Sequence, residues 1–187
     1  MTKIDPAIGL IELKSVARGI VVTDVVAKKA PVKILRTHPV CPGKYILLFA
    51  GDVASVKESL EAGVAAARDL LVNELLLPQV HEDVIPAING VANVREFGSL
   101  GVVETFSVAS CVVAADIAAK AADIKLIEIR LAMGLGGKAY FTMSGDLYSV
   151  EASFAAAVEH VKKEGLLAGA EIIAAPHADV IEKGVYW

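Results

Sequence analysis

Cysteine is nearly missing from this chain: Cys41 and Cys111 are the two in 187 residues. A disulfide framework needs more, and two thiols fit a reducing compartment. A basic excess is missing as well. Lys plus Arg number 18 against 22 Asp plus Glu, a formal net charge of −4 with no basic block, which argues against a nucleic-acid surface. No stretch approaches the ~18 uninterrupted apolar residues of a membrane helix. Asp5, Pro6 and Glu12 interrupt the N-terminal stretch, so no signal peptide is expected. These absences predict a soluble cytoplasmic chain that binds neither nucleic acid nor membrane.

Catalytic patterns are absent too. There is no Ser/His/Asp arrangement and no H-E-x-x-H. His81 and His177 recur in H-x-D-V, where each is expected to open a terminal helix as a cap or interface group rather than to form a dyad. His160, beside Glu159 and Lys162, reads as solvated surface. Gly134-Leu135-Gly136-Gly137-Lys138 resembles a phosphate loop, but Ala139 stands where Ser or Thr is needed. It also lies between two expected strands, whereas a phosphate loop joins a strand to a helix.

Aromatics make up only 5% of residues, yet 55% are hydrophobic and the mean hydropathy is +0.58. The excess is Ala, Val, Ile and Leu, which suits helices packed closely on a sheet. A surplus of this kind points to apolar surface buried between subunits. An alanine-rich core in a monomer is the alternative.

The chain repeats itself. IGLIELKSVARGIVVTD at 8–24 matches LGVVETFSVASCVVAAD at 100–116, 92 positions on. GKYILLFAGDVASVKES at 43–59 matches GKAYFTMSGDLYSVEAS at 137–153, 94 on. LLVNELLLPQVHEDVI at 70–85 matches LLAGAEIIAAPHADVI at 166–181, 96 on. Three matches in one order identify a tandem duplication. The expected domains are 1–94 and 95–187, joined near Val94–Gly98.

Each half predicts β-α-β-β-α-β, a ferredoxin-like α+β layout with helices on one face of an antiparallel sheet. In the first half, Ile8–Leu13 is a strand. Ser15 caps a helix to about Lys29 with Val16, Ile20 and Val21 on one face. Val32–Val40 and Lys44–Ala50 are strands around a Cys-Pro-Gly turn. Asp52 caps a helix bearing Val53, Val56, Leu60 and Val64, Leu70–Leu77 is a fourth strand, and His81–Ile88 is a short helix. In the second half, strands are expected at Leu100–Thr105, Ile124–Leu131 and Ala139–Ser144. Ser107 and Asp146 cap the helices, the second with Val150, Phe154, Ala157 and Val161 inward.

The two cysteines read differently. Cys111 lies in a helix among Ala109, Val112 and Val113, as a buried inert thiol would. Cys41 sits in a turn between Pro39 and Pro42, which stiffen it and display its thiol. Pro42 and Gly43 of this turn, and Gly134, Gly136 and Gly137 of its counterpart, are expected to let backbones crowd together.

The repeat unit resembles the bacterial microcompartment shell (BMC) domain. The likeness rests on D-x-x-x-K-x-A at Asp24/Lys28/Ala30 and Asp116/Lys120/Ala122, on the glycine turn followed by a strand and G-D-[VL]-x-x-V, and on P-H-x-D-V near the end. Two such domains in one chain look like the tandem, trimer-forming shell proteins. V-C-P-G-K paired with G-L-G-G-K is most similar to the PduT-like subgroup.

This resemblance implies a homotrimer forming a pseudohexagonal tile, with both central turns at its middle. It implies edge-to-edge contact with other shell proteins in the bacterial cytoplasm, a structural role without catalysis, and encapsulated redox enzymes as possible partners. Lys28 and Lys120 would be edge lysines, their stems buried along the neighbouring tile. Ala175 stands where the family often has Arg, so docking would lean on the lysines. Cys41 from three copies would ligate a [4Fe-4S] cluster, with a small ligand on the fourth iron, closing the pore and passing electrons across the shell. Backbone N–H groups of the turn would tune its potential. Two other readings stand beside it. One is a tile whose central pore conducts a small metabolite, with Cys41 free or holding zinc. The other is a discrete ligand-binding or enzyme domain of duplicated ferredoxin-like fold.

Overall fold

A computed structural model describes residues 7–92, 94 and 97–184. Asp5, Pro6 and part of the expected join at 94–98 fall outside them. The elements run β1 (Ala7–Leu13), α1 (Val16–Lys29), β2 (Lys33–Val40), β3 (Lys44–Gly51), α2 (Val53–Ala67), a 3-10 turn (Arg68–Leu70), β4 (Leu71–Leu77) and α3 (Val84–Asn89). They repeat as β5 (Ser99–Thr105), α4 (Val108–Ala121), β6 (Lys125–Arg130), β7 (Ala139–Gly145), α5 (Leu147–Lys163), β8 (Leu167–Ile173) and α6 (Ala178–Gly184). Each half is thus the expected α+β unit. Its sheets are antiparallel, ordered β2-β3-β1-β4 and β6-β7-β5-β8.

Local chemistry starts the helices where the sequence places them. The side chains of Ser15, Asp52, Ser107 and Asp146 accept hydrogen bonds from backbone N–H groups three residues on. These satisfy donors that have no partner inside the helix. Repetition extends to irregularities. β2 carries a register shift between Ile34 and Arg36, and β6 carries one between Leu126 and Glu128, their counterparts.

The first core gathers Ile11, Leu13, Val22, Val26, Leu47, Phe49, Val56 and Leu60 between sheet and helices. Gly63 permits the close approach of α2: a Cβ there would stand 2.5 Å from Ile11 Cδ1 and 2.6 Å from Val26 Cγ2. In the second unit Val103, Phe141, Met143, Val150, Ala157 and Val161 are fully buried, while Phe154 is only partly so.

One expectation changes. Val16, Ile20 and Val21 do not face the core, being 37%, 58% and 47% exposed; Gly19, Val22 and Val26 are the buried face of α1. Apolar residues on both sides of this helix make periodicity ambiguous, and the Gly19 contact with the Tyr45 ring decides the matter. The chain falls into two compact units that meet between Val80 and His81, because α3 packs on β6 and α4.

Candidate functional site: the β2–β3 turn

Cys41 occupies the turn from β2 to β3 and is exposed. Pairing continues to Val40 opposite Lys44, so Cys41, Pro42 and Gly43 alone make the connection. The Gly43 N–H donates to the Val40 carbonyl at 3.0 Å. Pro42 has no N–H, and that of Gly43 is already engaged by Val40. The Cys41–Pro42 peptide is cis.

The glycines act differently from the crowding expected. Gly43, Gly134, Gly136 and Gly137 have φ of +86°, +72°, +61° and +90°. A Cβ at Gly43, Gly134 or Gly136 would meet nothing within 4 Å. Backbone conformation, not close packing, is what requires glycine there. The counterpart turn, Leu131 to Lys138, is closed by the Lys138 N–H on the Leu135 carbonyl at 3.1 Å.

An ion pair braces the base of each turn. Lys44 Nζ donates to Glu12 Oε1 at 2.8 Å, and Lys138 Nζ to Glu104 Oε2 at 2.6 Å. The first pair is buried, the second half-exposed. The sequence reading missed both, though the signal was present: Glu and Lys recur at matching repeat positions. On β6 and β7, Glu128 accepts from Arg130 Nε and from the Tyr140 hydroxyl, the latter at 3.1 Å. Burial, reinforced by Glu128, pushes the Tyr140 phenol up to about 12. His38 lies on β2 ahead of the turn. Burial first and Arg36 second hold its imidazole below the ordinary range.

Cys111 is the other kind of thiol. It is fully buried in α4, and burial pushes its pKa far up. Its place follows from a volume exchange between repeats. The first has Gly19 against the large Tyr45; the second has Cys111 where Gly19 stands and Ala139 where Tyr45 stands. In metal-free protein a maleimide is therefore expected to label one thiol, Cys41, under native conditions and both after denaturation. Equal native rates at both cysteines would refute this assignment.

The remaining expected residues lie elsewhere. Lys28 and Lys120 each pair with the aspartate four residues before, Asp24 at 2.7 Å and Asp116 at 2.5 Å. His81 and His177 each accept through Nδ1 the N–H two residues on, of Asp83 and Asp179, at 3.2 Å; the cap of α3 is Asp83 rather than His81. Among the described residues, no three His, Cys, Asp or Glu side chains gather as metal ligands. Nor, among these residues, is any helix long and apolar enough to cross a membrane.

The chain was compared with known proteins. The BMC domain matches residues 7–80 and 99–176. The chain is 40% identical over 171 residues to the bacterial microcompartment shell protein PduT of Citrobacter freundii, covering 91% of this chain and 93% of that protein. One repeat's length is 33% identical to the shell protein PduA of Salmonella typhimurium, over 42% of this chain and 85% of PduA. Among solved structures, a microcompartment protein from Desulfitobacterium hafniense DCB superposes with a TM-score of 0.88 at 44% identity, covering 94% of this chain and 98% of that one. A fused permuted hexameric shell protein shares the fold at a TM-score of 0.63 and 22% identity, over 83% and 81%. The repeated β-α-β-β-α-β unit and these matches agree: the chain belongs to the BMC-domain family of bacterial microcompartment shell proteins, as a tandem-domain member.

Proposed function

We propose that three copies of this chain form a pseudohexagonal shell tile that holds one [4Fe-4S] cluster at its centre through Cys41 of each copy, and that the tile passes electrons across the microcompartment shell of the bacterial cytoplasm. The observation that carries this reading is the exposed thiol of Cys41 on a three-residue turn. One chain offers one such thiolate, whereas a cubane cluster takes several. A threefold axis supplies the others, and a duplicated domain gives a trimer six similar units.

The residues fit the group in this limited sense. Cys41 would be the ligand, and Gly43 shapes its turn. The Glu12–Lys44 pair anchors the turn to β1 and orients the strand from which it projects. When bound, the cluster would supply one-electron transfer. Lys28 and Lys120 would serve at tile edges against other shell proteins, and redox enzymes inside the shell would exchange electrons with the centre. The tile itself performs no catalysis.

The test is anaerobic purification followed by iron and sulfide counts and an absorption spectrum. A brown trimer with about four irons is the expected result, as a cubane cluster requires. A colourless, iron-free trimer that still forms sheets would overturn the cluster and leave a tile with an open centre.

A further inference from the structure

The two central turns share one brace and differ in another. Both repeats tie the base of the turn to the first strand of their sheet by a lysine–glutamate pair, Lys44 to Glu12 and Lys138 to Glu104. A brace common to both turns serves the hairpin, with or without a cysteine. The repeat that carries Cys41 adds a chain of hydroxyls on the other face of its sheet. Thr37 Oγ1 on β2 donates to the Tyr45 hydroxyl on β3 at 2.6 Å. Thr23 Oγ1 on α1 lies 3.3 Å from Thr37 Oγ1 and donates to the Gly19 carbonyl at 2.9 Å.

None of the three hydroxyls recurs. Ala115, Ile129 and Ala139 stand at the positions of Thr23, Thr37 and Tyr45, and all are buried and apolar. The volume exchange with Cys111 accounts for a large ring at Tyr45, which packs where Gly19 leaves no Cβ. It does not account for the phenol oxygen, because phenylalanine would fill the same space. Tyr45 is only 6% exposed, and a hydroxyl so placed is costly unless it is bonded. Thr37 bonds it and so ties β2 to β3, and Thr23 carries the tie to α1.

These bonds lie at the stem of the Cys41 turn. Tyr45 pairs with Pro39, and the next rung, Val40 with Lys44, is the last before the turn. Successive strand residues face opposite ways, so Lys44 reaches Glu12 on one face while Tyr45 packs on α1 from the other. The stem is thereby held from both faces of the sheet.

We propose that Tyr45 and Thr37 are positioning residues for the Cys41 ligand, fixing the hairpin stem so that the three thiols of a trimer meet in the geometry a cubane cluster demands. The inference rests on the cluster reading above. Each copy gives the cluster one thiolate, so no second ligand from the same chain corrects a misplaced one. The turn must come preformed, and looseness in it counts three times. Hydrogen bonds behind a ligand supply this kind of precision.

The full-length trimer, purified anaerobically, tests this. Tyr45→Phe keeps the ring on Gly19 and removes only the hydroxyl, and Thr37→Val keeps the shape of the side chain. Each is expected to speed iron release to a chelator about fivefold, the worth of one ordinary hydrogen bond. Each should also broaden the electron paramagnetic resonance of the dithionite-reduced cluster, since the thiolates are no longer held at one angle. Thr37→Ser, which keeps the hydroxyl, should restore both. In metal-free trimer, hydrogen exchange of the Gly43 amide should quicken in the first two variants and not in Thr37→Ser. Cys111→Ser controls for general loss of stability and should leave the resonance unchanged. Wild-type release and line shape in Tyr45→Phe and Thr37→Val would overturn the positioning role and leave the cluster reading intact. Equal acceleration and broadening in Cys111→Ser would overturn it too. A wild-type trimer without iron would overturn the cluster reading, and the role with it.

Discussion

Cys41→Ser is expected to strip the protein of iron completely while leaving its fold and assembly intact. In the proposed site the ligand would be a thiolate, whereas a serine hydroxyl stays protonated and binds iron poorly at neutral pH. Cys41 packs into no core and is exposed on its turn, so the change should cost under about 0.5 kcal/mol of stability, as surface substitutions do. Cys111→Ser should do the reverse. It places a hydroxyl where the thiol, beside Thr105, was fully buried, at a cost of about 1–3 kcal/mol. Its iron content should match the wild type. Iron and sulfide counts alongside thermal denaturation read both effects at once. Iron retained in Cys41→Ser would rule out this turn as the ligand site, and a trimer lost with it would make Cys41 a structural thiol.

A second large effect is expected from Lys44→Met, and its contrast with Lys138→Met is the informative part. The two lysines hold repeat-equivalent positions and bond repeat-equivalent glutamates. Glu12 is 0% exposed, so Lys44→Met removes the cation beside a buried carboxylate, at about 3 kcal/mol. Glu104 is 41% exposed in the chain, so water can replace Lys138 and the loss should stay below about 1 kcal/mol. Denaturant midpoints of the two variants separate these outcomes. Equal shifts would mean that burial does not set the worth of the pair. Because Lys44 follows Gly43 directly, Lys44→Met should also loosen the turn that carries Cys41.

Element types were legible because they depend on local chemistry. Ser15, Asp52, Ser107 and Asp146 each satisfy a nearby backbone N–H, and that bond needs only residues three apart. Positive φ at Gly43 and Gly134 is likewise a property of one residue and its turn. The face of α1 was not legible. Val16, Ile20 and Val21 have the spacing of a buried stripe, but Val22 and Val26 compete with them, and the winner depends on where Tyr45 and Gly63 bring the neighbouring elements. Cys41 was legible as a displayed thiol because its prolines and glycine are adjacent in sequence. That the Gly43 N–H is committed to Val40 depends on strand pairing, which no local pattern reports.

The sequence by itself determined the duplication, the order of elements in each half, the family likeness and the difference between the two cysteines. These follow from repeated spacing and short-range bonding, which a linear chain records directly. Only the tertiary structure decided where the compact units divide, and that the Glu12–Lys44 pair is buried while Glu104–Lys138 is not. It also decided that Thr23, Thr37 and Tyr45, separated in sequence, bring their hydroxyls together. The two halves have nearly the same local chemistry, so their differences arise from which neighbours cover them, and burial is a property of packing rather than of any residue.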